Sequence, residues 1–412
     1  MIKIMTYLLC LTTIVFSKSL NDYLKIAEKN NPSMMSAYYK YKGHIEHKKA
    51  SGYLPDPTIG GGYSISPVET RLGPQVGKIS IKQSLPWTSL LNDDENIAKY
   101  SVNSSFYDYG NIKEKVFHQI RQIYYTLYFK NRDIFFTKKM IENYRSLAKI
   151  KEQNNSVSRS SLSSNIMFEN KLDMLEEKLL QIENDISYLK FKFNLLLNRD
   201  TKEIIDIPDS LVYGASQINT DNSQNLSNNS LLSLDHLIIK KEYEISASKR
   251  KFLPMFSIGL DYIFINDRED MIVQDSGKDA FVASLSMNLP INFNRTSSSV
   301  EKKVYEKKSL EYKRMSAENI LLTDIQRVKF KIDDLQRKLE LKERIIARYL
   351  KIIAIEEQLL TTDGSSIEKL LELNNDKFAT MIAAEKIRSE IATEYSQLTF
   401  LLTTEGINHE NN

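Results

Sequence analysis

Apolar and polar positions alternate with period two in four short stretches of the chain. In the first, Ile59, Tyr63 and Ile65 share a face with Gly61, while Thr58, Gly60, Gly62, Ser64 and Ser66 fall on the other. In the second, Ile79, Ile81 and Leu85 oppose Lys78, Ser80, Lys82 and Ser84. Phe256, Ile258, Leu260, Tyr262 and Phe264 alternate with Ser257, Gly259 and Asp261; Phe281, Ala283, Leu285, Met287 and Leu289 alternate with Ser284, Ser286 and Asn288. Period two marks a strand with one apolar face, so β-hairpins are predicted over 57–86 and 254–290. Such strands fit a sheet lying on a soluble core, and equally a barrel with lipid outside and water inside.

A second period governs most of the remainder. Ile325, Ile332, Leu339, Ile346, Ile353 and Leu360 recur every seven residues, as do Phe168, Leu175, Ile182, Leu189 and Leu196. Leu172, Leu179, Ile186 and Phe193 add the 3–4 spacing of a left-handed coiled coil. No proline lies between Pro86 and Pro208, and none follows Pro290. Residues 89–154 and 297–361 are therefore continuously helix-compatible, and at 1.5 Å per residue each stretch spans about 100 Å. Helices of that length must pack as coils against one another. Shorter helices are predicted over 21–50, interrupted at Asn31-Pro32, and over 231–251.

The pattern is written twice. Tyr53-Leu54-Pro55 aligns with Phe252-Leu253-Pro254, and Tyr63 with Tyr262, at an offset of 199. Ser80-Ile81 and Leu85-Pro86 align with Ser284-Leu285 and Leu289-Pro290 at 204; Ser160-Ser161-Leu162 aligns with Ser365-Ser366-Ile367 at 205. A period this long is that of a duplicated domain-sized unit, not of a solenoid. The predicted organisation is a signal peptide over 1–17, a first repeat over 18–205, a linker over 206–230 rich in Asn, Ser and Asp, a second repeat over 231–405, and a disordered tail over 406–412.

Composition narrows the function. Lys and Arg number 56 against 53 Asp and Glu, a net charge of +3 with no basic block, which argues against a nucleic-acid partner. Lys3 followed by the apolar core 7–16, too short to span a bilayer, reads as a secretory signal cleaved after Ser17. The one cysteine, Cys10, lies inside it, so the mature chain is expected to hold no disulfide, thiol nucleophile or Cys-based metal site. His44 and His47 are spaced for a helix face but have no third ligand nearby. No catalytic constellation, metal site or cofactor is predicted, and the chain is read as a non-enzyme.

Two strands per repeat cannot close a barrel, and an open sheet edge cannot face lipid. If the hairpins are embedded in a membrane, several copies must pool their strands. With the duplicated long helices, the Asn31-Pro32 break, the Tyr53-Leu54-Pro55 and Phe252-Leu253-Pro254 strand starts and the Leu85-Pro86 and Leu289-Pro290 strand ends, the chain resembles the TolC-like outer-membrane channels of tripartite efflux pumps and type I secretion systems. The resemblance covers essentially the whole mature chain. It implies a mainly α fold with a small β part: a homotrimer with a shared 12-strand barrel in outer-membrane lipid above an α-helical barrel in the periplasm. It also implies docking to a periplasmic adaptor protein and, through it, an inner-membrane transporter. The alternative is a soluble periplasmic coiled-coil adaptor, which leaves the duplication unexplained.

The resemblance also implies where function sits. The helix–helix turns at Ser158, Arg159 and Ser160 and at Gly364, Ser365 and Ser366 would contact the adaptor. The first of these turns lacks the glycine usual in relatives. Acidic residues past the second turn ring the tunnel entrance in the family. Here Glu372 falls at the second acidic position, with Glu368 and Asp363 nearby, whereas Lys369 stands where the first acid is expected and would offset the charge of Glu368.

Overall fold

The computed structural model describes residues 18–153, 159–207, 228–360 and 366–404. The expected signal peptide, residues 208–227 of the expected linker and the tail lie outside the described residues, as do Ser158, Asp363, Gly364 and Ser365. The described chain runs α1 (Leu20–Asn30), α2 (Pro32–Lys49), β1 (Thr58–Thr70), β2 (Gly73–Leu85), α3 (Thr88–Gln153), α4 (Arg159–Leu196), α5 (Asn229–Arg250), β3 (Met255–Ile265), β4 (Ala280–Asn288), α6 (Phe293–Leu360) and α7 (Ile367–Leu402). It is mainly helical with one small antiparallel sheet, and it divides into two compact units.

The all-helical unit comprises described residues within 1–36, 111–226 and 321–403. Tyr23, Ile120, Leu127, Ile182, Phe193 and Leu197 form its main core, with Tyr23 edge-on to Phe193 at 5.1 Å between ring centroids. The heptads account for this packing. On α6, Leu321, Ile325, Val328, Ile332 and Leu335 are buried at alternating spacings of four and three, the a and d positions of a coil. On α4, Phe168, Ile182, Ile186 and Phe193 are buried on the predicted seam.

The interruption at Asn31-Pro32 separates two helices for a local reason. Pro32 fits the first helical position because its missing N–H has no partner to lose there. The Asn31 side-chain oxygen accepts from the backbone N–H of Ser33 and Met34 at 3.0 and 3.1 Å, capping α2. Its amide nitrogen donates to the Leu196 carbonyl at 2.8 Å, so the same side chain also ties down the end of α4.

The second unit, within 37–110, 227–320 and 404–412, holds the sheet. Helices α2, α3 and α5 are joined there by Tyr38 and Tyr109, Tyr41 and Phe106, and Tyr107 stacked on His236. Ser233 donates to Asp108 at 2.6 Å and lies 2.9 Å from the Ser104 hydroxyl. Lys241 and Lys303 each lie 2.8 Å from the Glu244 carboxylate, and Lys241 also reaches Glu306, linking α5 to α6.

The sheet order is β1-β2-β3-β4, antiparallel throughout. Both hairpins keep one register. Ile59 pairs with Ile81, Gly60 with Ser80 and Thr58 with Lys82 in the first; Ile258 pairs with Leu285, Gly259 with Ser284 and Ser257 with Ser286 in the second. These pairs correspond through the offsets of 199 and 204 read from the sequence. Two register shifts break the ladders, one of β2 against β3 between Gln75 and Gly77 and one of β1 against β2. Between Tyr63 and Val68 the register shifts, and residues 64–67 of β1 bulge opposite Val76. Pro67, which has no N–H to place in a ladder, lies in that bulge.

Candidate functional site

The sheet is the first candidate region. On one face Ile59, Tyr63, Ile79, Ile81, Ile258, Leu260, Phe281, Leu285 and Met287 are all exposed, Tyr63 at 80% and Leu285 at 73%. Tyr262 sits among them, 4.9 Å from Phe264 and 4.8 Å from Phe281 between ring centroids. So large an apolar surface left open to solvent is an interaction surface. The opposite face is mostly small and polar, carrying Thr58, Gly60, Gly62, Lys78, Ser80, Lys82, Ser257, Gly259, Asp261, Ser284 and Ser286, with Ile263 and Val282 among them. The sheet is open, with β1 and β4 at its two edges and no pairing between them among the described residues.

Aromatic side chains mark the ends of the strands nearest the helices. Tyr53, Trp87 and Phe293 are exposed there, and Phe293 stacks on Phe252 at an interplanar angle of 11°. The Trp87 indole N–H donates to the Pro254 carbonyl at 2.9 Å, which fixes the end of β2 beside the start of β3. At the other end, the turn from Thr70 to Gly73 meets the segment that follows β3. Asn266 donates to the Pro74 carbonyl at 2.9 Å and Gly277 to the Leu72 carbonyl at 2.8 Å. Gly73 has φ of +130°, and a Cβ there would stand 1.9 Å from the Asn266 carbonyl oxygen, so the close approach requires glycine.

The start of α7 is the second candidate region. Ser366 caps the helix, its hydroxyl accepting from the Lys369 N–H at 3.2 Å. Glu368 lies in the first turn, where a carboxylate complements the helix dipole. Glu368 and Glu372 are four residues apart and share a helix face. Leu371 packs against the small core of Tyr144, Leu147 and Phe168, whereas Glu372 is exposed and makes no ion pair among the described residues. Arg159 and Ser160 stand at the first residues of α4.

Lys369 makes a contact that the sequence did not indicate. Its ammonium lies 2.5 Å from the carboxylate of Glu356 on α6, which is only 6% exposed. A buried carboxylate left alone is costly, and Lys369 serves as its counter-ion. One turn past Glu372, buried Asn375 accepts from the Asn143 side-chain amide at 3.1 Å, linking α7 to α3. Sequence reading missed both contacts. The only signal of the first was a lysine where the resemblance led an acid to be expected.

Among the described residues no helix is long and apolar enough to cross a membrane. An open antiparallel sheet with one apolar face, joined to long coiled helices in a duplicated order, defines a class of chain, and solved structures share it. The outer membrane protein VceC from Vibrio cholerae aligns with a TM-score of 0.73 over 93% of this chain and 95% of that chain, at 14% identity. The CmeC outer membrane channel of Campylobacter jejuni aligns at 0.71 over 93% and 85%, at 15% identity. The MtrE outer membrane channel of Neisseria gonorrhoeae, in its open state, aligns at 0.72 over 93% and 88%, at 11% identity. No protein-family model and no curated protein sequence matches the chain. The chain has the fold of these outer-membrane channels, the fold that the TolC-like resemblance implied.

Proposed function

We propose that the chain is one protomer of an outer-membrane channel, a passive conduit from periplasm to exterior in a tripartite efflux pump or type I secretion system. The open four-stranded sheet carries this reading. Its apolar face suits lipid, its small and polar face suits water, and its two unpaired edges need a partner. The partner is a second and a third copy, β4 of one protomer pairing with β1 of the next to close twelve strands. Exposed apolar side chains on the helices support the same assembly. Met167, Met174, Leu180 and Tyr188 of α4 and Tyr305, Tyr312, Met315 and Phe330 of α6 lie outside the buried seams and remain for neighbouring copies to cover. The exposed Tyr53, Trp87 and Phe293 suit the aromatic girdle of a membrane barrel.

In this reading the two helix–helix turns, at Ser158, Arg159 and Ser160 and at Gly364, Ser365 and Ser366, face a periplasmic adaptor that links the channel to an inner-membrane transporter. Glu372, with Glu368 and Asp363, lines the entrance. Copies of Glu372 converging on one axis would make an anionic constriction that attracts cations. Cross-linking of the detergent-extracted protein should give a three-protomer species, and a monodisperse monomer that needs no detergent would refute the channel. In planar bilayers, Glu372→Ala should weaken cation block while leaving the trimer intact. Unchanged block in Glu372→Ala and Glu368→Ala would reduce these carboxylates to helix caps.

A further inference from the structure

The sheet's polar face is not electrically neutral, and its positive charge lies on the first hairpin. Apart from Glu69 at the first turn, where it pairs with Pro74, the strands carry three charged residues: Lys78 and Lys82 on β2 and Asp261 on β3. All three share the polar face. Lys78 pairs with Gly62 and Ile263, Lys82 with Thr58 and Gly259, and Asp261 with Ser80 between them. The lysines are therefore the diagonal neighbours of Asp261. Neither forms an ion pair with it or with any other group among the described residues, and both are exposed. The neighbours on this face are small on the β1 side, whereas Ile263 stands opposite Lys78 and Val282 opposite Asp261. Gly62 lies beneath the Lys78 stem, its Cβ position 3.7 Å from Lys78 Cγ, and Gly60 and Gly259 lie beneath the Ser80 and Ser284 hydroxyls. Ile263 stands beside Lys78 without covering it, and both ammonium groups remain open to the water that would fill a conduit here.

We propose that Lys78 and Lys82 determine charge specificity, biasing the strand-lined part of the conduit toward anionic solutes over cationic ones of the same size. The inference rests on the channel reading. Each copy brings two ammonium groups for one Asp261 carboxylate, and closing the sheet into a barrel gathers that excess around one lumen. Fixed charge lining a pore attracts counter-ions and excludes co-ions. The reach of this field is the Debye length, about 10 Å at 0.1 M salt and about 3 Å at 1 M. The bias is therefore strong in dilute salt and weak in concentrated salt.

The test is the chloride-to-potassium permeability ratio of the full-length protein in planar bilayers, taken from reversal potentials across a KCl gradient. Lys78→Gln with Lys82→Gln should lower the ratio several-fold relative to the unmodified protein. Lys78→Arg with Lys82→Arg should keep it, and Asp261→Asn should raise it by less. All three differences should shrink in concentrated salt. The ratio is compared between variants of one channel, so carboxylates elsewhere in the conduit do not mask the change. A conducting Gln variant with the original ratio overturns this inference and leaves the channel reading intact. An unmodified protein that inserts as a trimer but passes no current overturns the channel reading, and this inference with it.

Discussion

The two hairpins align with each other in sequence, and comparing them separates what the backbone keeps in common from what the side chains do not. The cross-strand pairs from Thr58 with Lys82, against Ser257 with Ser286, to Tyr63 with Gly77, against Tyr262 with Phe281, are kept. The apolar face is kept as well, since a slip of one residue would turn every apolar side chain to the other face. The turn and the polar face have diverged. The first hairpin closes tightly between Thr70 and Gly73; the second spans residues 266–279, where Arg268 is paired with Asp270 and reaches back to the Thr70 carbonyl at 3.0 Å. The offset grows from 199 to 204 within the hairpins, where this longer connection falls. On the polar face, Lys78 and Lys82 of the first hairpin correspond to Val282 and Ser286 of the second, and Gly62 corresponds to Asp261. Register is held by the apolar face, while charge on the polar face is left to vary.

If the apolar faces of both hairpins do the same work, equivalent substitutions on them should fail equally. Ile81→Arg and Leu285→Arg occupy matching positions of β2 and β4. Each should destabilise the membrane-inserted form by about 2–4 kcal/mol per protomer, the cost of an arginine facing lipid near the bilayer midplane. Urea unfolding from liposomes reads that cost. Ser80→Arg and Ser284→Arg, on the polar face, should cost far less. Equal costs on both faces would remove the distinction between lipid and lumen.

The turns offer a middle-sized effect that should be unequal. Gly73→Ala forces a Cβ onto the Asn266 carbonyl at a positive φ and should cost about 1–3 kcal/mol, the scale of a strained backbone position. Gly61→Ala, whose Cβ meets nothing within 4 Å, should be nearly neutral. Thermal unfolding in detergent distinguishes them.

The smallest effect lies in the helices beside the hairpins. Glu244 and Glu306 bind Lys241 and Lys303 in the second repeat, where Ile45 and Val102 stand at the corresponding positions of the first. Burial pushes the Glu244 carboxyl up, but hydrogen bonds from Lys241 and Lys303 outweigh it and hold the group below the usual glutamate value of 4.5. A carboxyl lowered on folding adds stability above its unfolded value, and that stability is lost as pH falls through the folded value. Acidification from about pH 5 downward should therefore destabilise the protein, and Glu244→Gln should flatten that part of the profile while Ile45→Val leaves it unchanged. An identical profile for Glu244→Gln would show that the network adds nothing.

Much of this was legible in the sequence because its causes are local. Period two placed the strands, the heptads placed the seams on α4 and α6, the lack of proline allowed α3 and α6 to run on, and Pro32 after Asn31 broke α1 from α2. The sequence offsets of 199 and 204 also map the cross-strand pairs of one hairpin onto those of the other. The tertiary structure alone decided the rest. The order β1-β2-β3-β4 rests on the pairing of β2 with β3, segments more than 170 residues apart that no local pattern joins. The bulge at Pro67, the Asn31 bond to Leu196 and the Lys369 pair with Glu356 were likewise settled by what packs alongside each group. A side chain's nature limits the contacts it can make, but burial selects among them, and burial depends on the whole fold.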